Sequence, residues 1–116
     1  YSYARAQSVL DRKKNIIDAS IDMPLELKNL YKKLFDWDSV VLAAYQRQEV
    51  HLIAHYLESL ASYFHSLWSS AKANSQIRFL DNNDNISSHS YNLLKKYQDT
   101  LNQGLKILGI KPKLKM

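Results

Sequence analysis

The residues from about Glu49 to Ala73 carry the pattern that most narrows what this chain can become. At 100° per residue, Leu57, Leu60, Phe64 and Leu67 all fall within about 40° of Ile53 around a helix axis. His51, His55, Glu58, Ser62, His65 and Ser69 stand on the far side, at about 120–200° by the same rule. Trp68 lies near 60°, roughly at the margin of the apolar stripe. A continuous stripe this narrow predicts one long amphipathic helix whose apolar side needs other helices against it.

The rest of the chain supplies them. Only two glycines and two prolines occur in 116 residues, which favours long helices and few tight turns. A first helix is expected from about Ser2 to Lys14, with Ala6, Val9 and Leu10 inward, then a linker over 15–22. Pro24 at the first helical position opens a second, striped by Leu27, Leu30, Tyr31 and Leu34. Asp38 is expected to cap a short third helix carrying Val40, Val41 and Ala44. The Asp81–Asn85 run reads as a polar loop. A last helix begins near Ser87 or Ser88 and is striped by Leu94, Tyr97, Leu101, Leu105 and Leu108. Gly109 and Pro112 stop it. No segment alternates with a period of two. The expectation is an all-α, single-domain bundle of about five helices over residues 1–116.

Composition excludes several functions. With 46% hydrophobic and 23% charged residues the chain has the balance of a soluble globular domain. Without cysteine there is neither a disulfide framework nor a thiolate metal site. No run approaches the roughly 20 apolar residues of a membrane span. No nucleophile elbow or glycine-rich phosphate loop is present, and most carboxylates sit at helix starts, where capping accounts for them. His51 and His55 have the spacing of a two-histidine metal site, but no glutamate follows His51 and no third ligand is evident. No catalytic residue and no metal ligand is assigned. The chain opens without an initiator methionine, as expected of a fragment of a longer protein.

Charge points towards a polyanion. The net charge is +5, but residues 1–14 hold Arg5, Arg12, Lys13 and Lys14 against Asp11, a surplus of three. Residues 95–116 hold six lysines against Asp99, a surplus of five, which leaves the middle at −3. Tyr1 and Tyr3 flank the start of the basic first helix, where aromatic rings beside cations suit an unstacked base and its phosphate. The other aromatics, among them Tyr63, Tyr91 and Tyr97, are read first as packing.

The order of these features resembles a known family. Tyr1-Ser2-Tyr3-Ala4-Arg5 with Ser8-Val9-Leu10 is similar to the Tyr-Ala-His-Ala-Arg…Ser-Ile-Leu segment that begins the helical, DALR-type anticodon-binding domain of arginyl-tRNA synthetases. Glu49-Val50-His51, Tyr56-Leu57, Leu60-Ala61 and Phe64-His65 resemble the Glu-Pro-His…Tyr-Leu…Leu-Ala…Phe-His run. Gly104-Leu105, Leu108-Gly109 and Met116 resemble the ending. Tyr3 stands in place of a histidine, Val50 in place of a proline, and Lys113-Leu114 in place of Pro-Glu. Without the proline, the third and fourth helices are expected to run together more than in relatives.

The resemblance implies binding without catalysis. Tyr1, Tyr3, Arg5, Gln7, Trp68 and Met116 would face the anticodon loop of tRNA(Arg), and Lys13, Lys14, Lys111, Lys113 and Lys115 would meet phosphates. It implies no cofactor in this fragment. ATP and Mg belong to a catalytic domain of the same chain, in a cytoplasmic ligase. His51 and His65 match family positions too, but are read as structural or surface residues. Two alternatives stand beside this reading: a helical protein–protein interaction module, and the anticodon-binding domain of a related class I synthetase such as the cysteinyl or methionyl enzyme.

Overall fold

The computed structural model describes residues 2–17, 24–71, 79–80 and 84–109. Its elements are α1 (Ser2–Arg12), β1 (Asn15–Ile17), α2 (Leu25–Phe35), α3 (Trp37–Arg47), α4 (His51–Ser70), β2 (Asn85–Ser87) and α5 (Ser88–Leu108). Among the described residues five helices enclose one core, so the all-α reading holds.

The long helix α4 buries Ile53, Leu57, Leu60, Phe64 and Leu67, the five stripe positions. On one side α2 packs against it through Leu27, Leu30 and Leu34. Two tyrosine hydroxyls of α4 also reach across to α2. Tyr56 donates to the carbonyl of Lys33, and Tyr63 donates to that of Glu26 at 3.0 Å. Burial, with Asp36 nearby, pushes the Tyr56 phenol up to about 12, so it stays a donor throughout the physiological range. On the other side α5 brings Tyr97, fully buried, to within 4.6 Å of the Phe64 ring centroid. The two helices approach closely because residue 104 is glycine. A Cβ there would stand 2.7 Å from a methyl carbon of Leu57.

Helix ends follow local chemistry. Ser87 caps α5, its hydroxyl accepting from the Ser90 amide, and Gly109 closes it at φ 77°. Pro24 sits at the N-cap of α2, one position outside the first helical residue expected for it. Asp38 lies in the first turn of α3 and is not its cap. Asp36 holds that position, without a side-chain cap bond. The third and fourth helices do not run together: Gln48, left-handed at φ 55°, ends α3 by returning its amide to the Tyr45 carbonyl.

The linker expected over 15–22 begins instead as a strand. β1 pairs in parallel with β2, Ile16 opposite Ile86, and Asn15 donates its side-chain amide to Asn85 at 3.2 Å. Asn85, expected in the polar loop, therefore belongs to β2. The amide of Lys14 donates to the carbonyl of Asp84 at 2.7 Å, and Asp84 takes a left-handed φ of 59° to offer it. This short pair ties the exit of α1 to the entry of α5.

Candidate nucleic-acid interface

Helix α1 lies between α4 and α5, and its two flanks are built differently. It runs antiparallel to α5, as successive contacts show: Tyr3 meets Asn102, Gln7 meets Gln98, and Lys13 meets Tyr91. Ala6, Val9 and Leu10 fill the seam, which fixes the rotation of the helix. Arg5 then falls roughly 160° from both Tyr3 and Gln7 at 100° per residue. It lies beside α4, whereas the other two turn to α5.

The α4 flank continues the aromatic core outward. Phe64 stacks against Tyr97 inside and against Trp68 at 6.1 Å and 26° towards the surface. Phe79 lies almost parallel to the same Phe64 ring, 11° off at 5.8 Å. Trp68 is therefore half-buried, with its ring orientation set by packing. The Arg5 guanidinium carbon stands 5.0 Å from the centroid of that indole. His65, one turn earlier on α4, titrates below the usual 6.5. Partial burial is the larger cause, and the positive Arg5 adds to it.

The α5 flank is a ladder of amides. Gln98, buried at 4% exposure, donates from Nε2 to the Gln7 side-chain oxygen at 3.0 Å and to the Tyr3 carbonyl at 3.5 Å. Gln7 in turn donates to Asp11 at 2.8 Å. Asn102 donates to the Tyr3 hydroxyl at 3.2 Å. Beyond them the Lys13 ammonium sits 5.6 Å from the Tyr91 ring centroid, and Lys14 is exposed. Arg12 reaches Asp84 at 4.0 Å.

The structure thus brings Arg5 to Trp68 and places Tyr3 with Gln7, with Lys13 and Lys14 just past the far end of the same helix. Tyr1, Lys111, Lys113, Lys115 and Met116 lie outside the described residues. Gln98 and Asn102 escaped sequence reasoning. The available signal was a polar pair bordering the Tyr97 and Leu101 stripe, four apart like Tyr3 and Gln7. His51 and His55 stand apart from this surface: their rings meet edge to face at 5.7 Å, and His51 lies 3.8 Å from Glu49. Among the described residues no group of three or more potential ligands is placed to hold a metal, and no helix is long and apolar enough to cross a membrane.

Comparison with known proteins bears on what this surface serves. The DALR anticodon binding domain model matches residues 1–116. The chain is 30% identical, over 129 aligned positions, to an arginine–tRNA ligase of Rickettsia rickettsii (strain Sheila Smith). An arginine–tRNA ligase of Rickettsia bellii (strain OSU 85-389) is also 30% identical over the same length. Both alignments take in 100% of this chain and 22% of the relative, so the chain spans about a fifth of the length of these curated relatives. No solved structure matches it. The chain belongs to the DALR anticodon-binding domain family.

Proposed function

We propose that this domain reads the anticodon loop of tRNA(Arg) for an arginine–tRNA ligase, whose other parts carry out the ATP- and Mg-dependent arginylation in the cytoplasm. The observation that carries the reading is that half-buried Trp68 stacks on core Phe64 and meets the Arg5 guanidinium near the start of α1. A base taken out of its stack needs a flat, pre-oriented partner, and both indole and guanidinium planes serve. Here the indole is braced from within by Phe64, so little ordering remains to be done when RNA arrives. The Arg5 cation over the same ring favours a ligand that brings a phosphate. Lys13 and Lys14, further along the chain, would neutralise the backbone of the same strand without reading sequence.

A second reading rests on the opposite face. Trp37, Val41, Leu42, Tyr45 and Ile107 line an open cavity of about 390 Å³ between α3 and α5, and Leu42 and Tyr45 are exposed. Such an apolar surface suits a protein partner. One titration separates the two. Adding the anticodon stem-loop of tRNA(Arg) to the isotope-labelled chain should shift resonances of α1 and of α4 around Trp68. Resonances of Leu42, Tyr45 and Ile107 should stay in place. No change at millimolar stem-loop would discard the tRNA reading and leave the protein-docking face as the better account.

A further inference from the structure

We infer that Gln98 and Asn102 of α5 are positioning residues for tRNA reading, and that they fix the Tyr3 hydroxyl as a hydrogen-bond donor towards the RNA. The inference rests on the tRNA-binding function proposed above and adds to it the direction of one contact. It also assigns roles to one buried side chain, Gln98, and one exposed one, Asn102.

Donor and acceptor counts set the direction of the contact. An amide NH2 only donates, so at 3.2 Å the Asn102 amide makes the Tyr3 oxygen an acceptor. The phenol hydrogen is then left to point elsewhere, and what it meets must accept: a base carbonyl, a ring nitrogen or a phosphate oxygen. A base edge offering only an NH or NH2 group at that point would face a hydroxyl already oriented against it. Rejection of that kind costs about one hydrogen bond at this exposed contact.

Gln98 sets the same edge from beneath. Its two amide hydrogens go to Gln7 and to the main-chain carbonyl of Tyr3, joining side chain and backbone of α1 to one buried group. Gln7 is held from its other end by Asp11. That leaves it one amide hydrogen and one oxygen lone pair in fixed directions. A leucine at 98 would fill the space but set neither the Gln7 rotamer nor the height of the Tyr3 ring. A glutamine buried in a helix that also gives Leu94 and Leu101 to the core has this use.

A double-mutant cycle on the 116-residue chain tests the inference, with affinity for the tRNA(Arg) anticodon stem-loop as the readout. Tyr3→Phe removes the hydroxyl and should weaken binding about fivefold. Asn102→Ala, at an exposed position, should weaken it about threefold. The double variant should match Tyr3→Phe alone, because Asn102 acts only through that hydroxyl. Each single variant should reduce discrimination among base-substituted loops at one and the same position. Melting temperature and salt dependence should stay as in the unaltered chain, which a general loosening of the fold would not allow. Gln98→Met, which keeps the volume, should weaken binding in the same way, with circular dichroism confirming the helices. Should the two losses multiply to about fifteenfold, or Asn102→Ala leave both affinity and discrimination unchanged, the inference is overturned while tRNA binding stands. Should the unaltered chain not bind the stem-loop, the function itself falls, and this inference with it.

Discussion

The two tryptophans of this molecule do opposite things with the same side chain. Trp37, at the start of α3, is buried at 7% exposure and lies 5.7 Å from the Tyr56 ring. Its indole N–H donates to Gln103 at 2.8 Å, so its one polar atom is spent inside the protein. Trp68, near the end of α4, keeps one side on Phe64 and turns the rest towards Arg5 and the surface. One tryptophan joins α3 to α5. The other finishes a core stack at a half-buried position, which the proposed function assigns to the RNA. The difference lies in where each falls on its helix and in the neighbours it meets there, not in the residue type.

The sharpest way to break this contrast is to remove what the outer tryptophan stands on. Phe64→Ala should cost about 3–5 kcal/mol of folding stability, since Tyr97, Phe79 and Trp68 all stack on that ring. Denaturant unfolding measures it. A loss below about 1 kcal/mol would mean the stack is not a unit.

Next in size is the functional half. Trp68→Ala should weaken stem-loop binding by roughly tenfold or more, as expected for about 1–3 kcal/mol per stacked base. Trp37→Phe should instead lower stability by about 1 kcal/mol through the Gln103 bond, and leave affinity unchanged. Equal effects of both on affinity would erase the distinction drawn here.

Smaller still is the electrostatic part. Lys14→Ala should weaken binding alike for all loop sequences and reduce the slope of log affinity against log salt by about 1. A sequence-dependent loss would make Lys14 a reader of bases.

The smallest effect concerns His65. Its folded-state midpoint lies below the unfolded value near 6.5, through burial first and Arg5 second. The folded chain therefore binds that proton less readily than the unfolded one. The stability tied to neutral His65 is complete above pH 6.5 and is lost as pH falls from there through the lower midpoint. Arg5→Gln should move the midpoint upward, though not fully to 6.5, because burial persists. Ring-proton chemical shifts against pH report it, and an unmoved midpoint would separate Arg5 from His65.

Much of this architecture was legible in the residues. Ile53, Leu57, Leu60, Phe64 and Leu67 repeat at helical spacing over about four turns, and each of them is buried. Ser87 and Gly109 bound α5 because hydroxyl caps and left-handed glycine are local chemistry that a sequence displays. The β1–β2 pair was not legible. It joins short segments far apart in the chain, and Ile16 and Ile17 are both about half exposed, so no alternation betrays it. The boundary near Glu49 was legible, but not how sharply Gln48 separates the two helices, since a left-handed non-glycine residue leaves no composition signal.

At the candidate site, the half-buried margin expected for Trp68 was readable from its angle on α4. The pairing of Arg5 with Trp68 was not, because it depends on how α1 is turned in its seam. Gln98 stayed hidden for a related reason: a glutamine beside an apolar stripe looks like a solvated residue until its partners on α1 are in place.

The most direct test of the central claim uses the contrast itself. Indole fluorescence can be followed while the tRNA(Arg) stem-loop is added to Trp37→Phe and to Trp68→Phe variants. Saturable quenching is expected in Trp37→Phe, where Trp68 is the remaining indole, and almost none in Trp68→Phe. Quenching carried by Trp37, with Trp68 silent, would contradict the claim.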